Sequence, residues 1–148
     1  MRRATLSLLL FLGGLWSVSL GQRVPKFTTP RIVATFERFG VTGAISPTTI
    51  YTPKSWGTFR ISIVLVGTVA NGHQQSSYEG GILFTDGAGK NTPTASTVAI
   101  LPTDVKRSGQ VEFPIRAKPE KPIQLFVSAN GHTSGTQYNV WVVVEQLM

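Results

Sequence analysis

No cysteine occurs anywhere in this sequence of 148 residues. That absence removes a thiol nucleophile and thiolate metal ligands. It also removes the disulfide framework on which many small exported domains depend, so stability must come from core packing. Long apolar runs are scarce as well. The most apolar stretch near the start, Leu8 to Trp16, is nine residues long, about half of what a bilayer-spanning helix needs, and no later stretch approaches a span. Asn71, Asn91, Asn130 and Asn139 all lie outside a glycosylation sequon. Together with the missing cysteines, this leans towards a bacterial source.

What stands at the start has the three parts of a secretory signal. Arg2 and Arg3 supply positive charge, Leu8 to Trp16 supplies the apolar segment, and Ser17 to Gly21 offers small residues for cleavage before Gln22. Residues 1–21 therefore read as a signal peptide, and no cysteine lies near the cut to carry a lipid anchor. The expected address is secreted, extracellular or periplasmic. Cleavage leaves 148 − 21 = 127 residues, enough for one domain with one core.

Charge of one sign is in short supply: seven acids face fourteen Lys and Arg. Without Arg2 and Arg3 the balance is 12 − 7, about +5. The densest positive stretch runs from Lys106 and Arg107 through Arg116, Lys118 and Lys121. It reads as a strand with flanking loops rather than a nucleic-acid module, which would join the charge to aromatics. No nucleic-acid partner is expected, and loose attraction to acidic polysaccharide or an anionic surface fits better.

The pattern is β throughout. No window carries the 3.6-residue period of an amphipathic helix, and Gly or Pro interrupts the chain at short intervals. Two-residue alternation places Phe59, Ile61, Ile63 and Leu65 on one side of a strand, with Arg60 and Ser62 on the other. Ile82 with Phe84, Val98 with Ile100, and Val111, Phe113 and Ile115 mark further strands. Pro114 suggests an edge or a bulge for the last of these. Ile123, Leu125 and Val127 form another inward set, as do Tyr138, Val140, Val142 and Val144. Ile32 to Phe36 and Thr48 to Thr52 are weaker strands. Local turns between consecutive strands favour antiparallel pairing, and the expectation is a single antiparallel β-sandwich or jelly roll of about 7–8 strands over residues 48–148, preceded by an irregular N-terminal arm over 22–47 with one or two weak strands.

Chemistry-bearing motifs fail in turn. Gly131-His-Thr-Ser134-Gly135 has its serine one place too late for a hydrolase elbow. Before Gly89-Lys90, Phe84 stands where a phosphate loop needs glycine, and Asn91 replaces the magnesium-binding Ser or Thr. Asp86 to Asn91 lacks the alternating acids of a calcium loop. Glu37, Glu79, Asp86, Asp104, Glu112, Glu120 and Glu145 sit at strand ends or on polar faces. No catalytic residue and no cofactor is expected.

Three constellations remain. Ala70-Asn71-Gly72-His73 recurs as Ala129-Asn130-Gly131-His132, each after an apolar strand. Two similar turns explain the echo; alternatively the loops bring His73 and His132 together with Glu79 or Asp86 as metal ligands, the seed of a metal-dependent or hydrolytic enzyme. Tyr51, Trp56 and, in a loop before Gly80-Gly81, Tyr78 are candidates for stacking on sugar rings in a carbohydrate-binding module; alternatively Tyr51 and Trp56 cap the core. In the last strand Trp141 and Val143 make the second face apolar too, so that strand is central or is covered by a partner.

Tyr51-Thr-Pro53, Gly57-Thr-Phe-Arg60-Ile-Ser62, Phe84-Thr-Asp86 and Tyr138 to Leu147 resemble a loosely defined group of small all-β proteins of bacteria and phages. That resemblance covers about two thirds of the chain. It implies a structural or adhesive role, tail-fibre-like or surface-exposed and often self-associating, and it carries over no site residues. Phe84 departs from the tryptophan usual in the group, and the signal peptide points to an exported cellular protein. The expected partners are the protein itself, forming a homo-oligomer, or an extracellular surface or polysaccharide.

Overall fold

The computed structural model describes residues 29–72, 76–89, 91–100, 108–131 and 133–147, with the side chains of 91–100 excepted. The signal segment lies outside the described residues. Eight strands follow in order: β1 (Arg31–Val41), β2 (Ile45–Tyr51), β3 (Gly57–Val69), β4 (Ser76–Thr85), β5 (Asn91–Ile100), β6 (Ser108–Ala117), β7 (Ile123–Gly131) and β8 (Gln137–Gln146). They form two four-stranded sheets, β1-β8-β3-β6 and β2-β7-β4-β5. Every pairing is antiparallel. Two four-stranded sheets with this order make a jelly-roll sandwich. Among the described residues no helix is long and apolar enough to cross a membrane.

The core follows from the alternation. Successive side chains on a strand point to opposite faces, so Phe59, Ile61, Ile63 and Leu65 all turn inward from β3, none more than 2% exposed. Ile123, Leu125 and Val127 of β7 meet them from the second sheet, as do Tyr78 and Ile82 of β4, and all five are buried. Gly80 lies between Tyr78 and Ile82 on that inward row and leaves room for the facing strand. A Cβ built there would stand 3.1 Å from Leu65 Cδ1 and 3.3 Å from Ile63 Cγ2. Pro114 stands on β6, a sheet edge, opposite Arg60 of β3. Edge strands tolerate the missing N–H.

One expectation gains detail and one is corrected. The weak strands expected within the arm over 22–47 are full members of the two sheets as far as they are described: β1 pairs with β8 along its length and β2 pairs with β7. The boundary at residue 48 falls inside β2. Both strands are sheet edges with register shifts, β1 at Ile32/Ala34 and Arg38/Val41, β2 at Ile45/Thr48 and Thr49/Tyr51. Bulges break the two-residue period that betrays a strand in sequence. Local turns also fail to say which strands pair, because β4 and β5 are the single consecutive pair that hydrogen-bond to each other. The other connections cross between the sheets or return from one to the other.

Replacing Gly80 by Val puts three heavy atoms into the space held by Leu65 and Ile63. Overpacking of this kind costs about 1–3 kcal/mol. Urea unfolding of Gly80→Val should show that loss with an unchanged denaturant slope.

Candidate functional site

The crossing connections gather the loops at the two ends of the sandwich, and the ends differ. At one end lie the Asn-Gly turns. Gly72 and Gly131 share a positive φ, 78° and 77°, a region open to glycine at little cost. The turns are neighbours: Ser77 pairs with Asn130 and Ser76 with Gly131, and a Cβ on Gly135 would lie 3.8 Å from Asn71 Cβ. His73 and His132 lie outside the described residues. The acids named with them do not gather there. Asp86 follows the far end of β4, nine residues beyond Ser76, roughly 30 Å at the usual strand rise. Asp86 is thereby removed from any site shared with these turns, since metal bonds to nitrogen span about 2 Å. Glu79 sits in the middle of β4 opposite Ser128.

Two tyrosines close this end from inside. Tyr78 and Tyr138 are fully buried, with ring centroids 4.2 Å apart and planes inclined at 35°. The Thr136 hydroxyl donates to the Thr133 carbonyl at 2.7 Å. Its one proton is then committed, so Tyr78 OH donates to Thr136 Oγ1 at 2.5 Å. Tyr138 OH donates to the Gly43 carbonyl at 3.0 Å. Burial pushes the Tyr138 phenol above the usual tyrosine range, and Tyr78 adds to the rise while Arg38 opposes it.

The three aromatics considered as a sugar platform are therefore dispersed. Tyr78 is in strand β4 and wholly in the core, which corrects its expected place in a loop. Gly80 and Gly81 suggested a turn there, but they are strand residues where the sheets approach. Tyr51 is half-buried and packs against Phe59, centroids 5.6 Å apart. Trp56 stays 46% exposed, and the Arg116 guanidinium lies over its ring at 5.9 Å from the centroid.

Trp141 and Val143 lie on the outer face of β1-β8-β3-β6. Register groups side chains that share this face: Glu37, Trp141, Val64 and Gln110 in one row, Thr35, Val143, Ser62 and Glu112 in the next. Phe39 packs edge-on against Trp141, centroids 5.5 Å apart. Phe39 is itself 64% exposed, and Ile32, farther along β1, is 58% exposed. Arg60 binds Glu145 through Nη2 and Nε, each at 2.5 Å, and lies 3.5 Å from Glu112. The bond to Glu145 raises the Arg60 pKa further. Sequence reasoning found Trp141 and Val143 but not Phe39, Ile32 or Arg116. Phe39 and Ile32 stand beside the β1 bulges, where the alternation breaks, and Arg116 is sixty residues from Trp56.

No protein-family model matches this sequence, and no curated protein matches it. Among solved structures the chain is similar to the Eiger TNF of S. frugiperda, at 8% identity, TM-score 0.44, over 78% of this chain and 86% of that one. It is also similar to the xylan-binding domain from CBM 22, at 14% identity, TM-score 0.36, over 88% and 90% of the two chains. A protein of the disulfide-linked pili that form Bacillus endospore appendages aligns at 12% identity and TM-score 0.33, over 82% and 92%.

Because the folded state holds Tyr138 protonated, its contribution to stability is fully present below about pH 10, the unfolded value, and is lost as pH climbs through the folded value. Thermal melts between about pH 8 and pH 11 should show a decline that begins near pH 10 and shrinks in Tyr138→Phe.

Proposed function

We propose that this protein is a secreted, non-catalytic β-sandwich module with a structural or adhesive role, and that it associates with copies of itself through the outer face of β1-β8-β3-β6. The observation that carries this reading is the apolar outer row of the central strand. β8 gives Tyr138, Val140, Val142 and Val144 to the core, all buried. Among the described residues no second layer covers Trp141 and Val143. Phe39, Ile32, Val64 and Val66 extend the apolar ground around them, and Glu37, Gln110, Glu112 and Asn139 border it. An apolar centre with aromatic anchors inside a polar rim is the anatomy of a subunit interface.

A second copy is the occupant this face suits. The apolar centre of the face carries no charge, and the charged side chains stand at its border, where Arg60 is paired to Glu145 and approached by Glu112. Contact of one face with the same face is how most small homo-oligomers close. The N-terminal Arg2, Arg3 and Leu8 to Trp16 favour export.

Sedimentation velocity on the mature protein at micromolar concentration should find an oligomer. Phe39→Ser and Trp141→Ser each remove an anchor, and loss of a hot-spot aromatic costs about 2 kcal/mol or more, roughly a thirtyfold weaker association. A strict monomer in the parent protein overturns the reading.

A further inference from the structure

The end of the sandwich opposite the Asn-Gly turns carries a separate feature. Backbone hydrogen bonds tie its loops together. Glu120 N donates to Pro53 O at 2.8 Å, Lys118 N to Thr85 O at 3.0 Å and Leu147 N to Thr58 O at 2.8 Å. Glu120 holds a positive φ of 61° to make this turn, a conformation non-glycine residues rarely adopt. The result is a gathering of cations from distant parts of the chain: Arg31 opens β1, Lys54 follows Pro53, Arg116 ends β6, and Lys118 and Lys121 flank the Glu120 turn. Among the described residues at this end the acids are Asp86, whose carboxylate accepts from Ala88 N at 2.8 Å, Glu120, and Glu145, which Arg60 already holds.

Within this basic end is a cleft of about 340 Å³ lined by Trp56, Gly57, Thr58 and Arg116. A second cleft of about 390 Å³ at the same end includes Lys121, Thr85 and Gln124. Trp56 is nearly half exposed. Arg116 pairs with no carboxylate among the described residues, and its recorded neighbour is the Trp56 ring. A guanidinium held against an aromatic face keeps its fork of donors free at the edges.

We propose that Trp56, Thr58 and Arg116 form a binding site for the uronic-acid units of an acidic polysaccharide. The C–H face of a pyranose stacks on the open indole. Its carboxylate accepts two parallel hydrogen bonds from Arg116, the arrangement that makes arginine the residue of choice for planar anions. The Thr58 hydroxyl offers a donor and an acceptor to a ring hydroxyl. Lys54, Lys118 and Lys121 extend the positive ground for the neighbouring anionic sugars. A single-stranded nucleic acid is the less suitable ligand, because such chains are held by a succession of stacked aromatics and this end presents Trp56 alone among the described residues.

The site borders the self-association face at the Arg60–Glu145 row but lies away from its aromatic anchors, since Thr58 and Val64 are six residues apart on β3, roughly 20 Å. Glycan binding is therefore read in the Phe39→Ser variant, in which that face is weakened. Titration calorimetry and tryptophan fluorescence would use the mature protein with polygalacturonate, with its fully methyl-esterified form and with oligo-dT. Polygalacturonate should bind and change the fluorescence, with the neutral ester about tenfold weaker or worse, since a charge-assisted hydrogen bond is lost. Trp56→Ala should abolish the fluorescence change, and Arg116→Gln should erase the preference for the acid over the ester. Arg116→Lys should restore part of that preference. Failure to bind polygalacturonate, equal binding of acid and ester, indifference to both Trp56→Ala and Arg116→Gln, or oligo-dT binding as tightly through the same two residues each overturns the proposal.

Discussion

A β-strand has two backbone edges and two side-chain faces, and β8 is the strand on which all four are under demand. Its edges are satisfied by β1 on one side and β3 on the other, as buried N–H and C=O groups require. Its inner face supplies four consecutive inward side chains to the core, all essentially inaccessible. With β8 between β1 and β3, the remaining edge of β3 is the one that β6 takes. The place of β8 also decides what is left over. Trp141 and Val143 must point away from the single core, and Phe39 reaches them because β1 is the neighbour on that side.

The inter-sheet crossings give the two ends different physics. At the Asn-Gly end the hydroxyls of Tyr78 and Tyr138 each reach a fixed acceptor, Thr136 and Gly43. Buried aromatics with satisfied polar tips hold a chain end without leaving an orphaned donor. That end is therefore closed by its own side chains. The other end is tied by backbone bonds between loops, so its side chains are free to face solvent, and most of the charged ones are basic.

How much of this was legible in the sequence follows from the range of each determinant. The inward rows of β3, β7 and β8 are set by alternation along a single strand, and those rows read correctly from the residues alone. A strand apolar on both sides was read as central or covered by a partner, and β8 does lie inside its sheet; Pro114 suggested an edge or a bulge, and β6 is an edge. β1 was read only as a weak strand inside an arm because its alternation breaks at two register shifts. Tyr78 was misplaced because Gly80 and Gly81 look like a turn, while the real cause of Gly80 is the Leu65 side chain arriving from the opposite sheet. Nothing near Trp56 announces Arg116, since the contact comes from the pairing of Thr58 with Arg116 across β3 and β6. Pairings of that kind are written in topology, and topology was the part local turns did not specify.

Arg60 and Arg116 show why the two surfaces call for different partners. They share one face, their β6 and β3 partners lying one alternation apart. Arg60, in the middle, is bound to Glu145 and approached by Glu112. A charge with its partner in place can be taken out of water at little net loss, whereas an unpaired one costs several kcal/mol. The middle of the sheet can thus be dehydrated by a second copy with its electrostatics already settled. Arg116, at the end, has an aromatic ring beside it and no carboxylate among the described residues, so covering it with a protein surface of ordinary composition would strand the charge. Only a ligand that brings its own anion, and a flat apolar face to set against the indole, dehydrates Trp56 and Arg116 together without that loss.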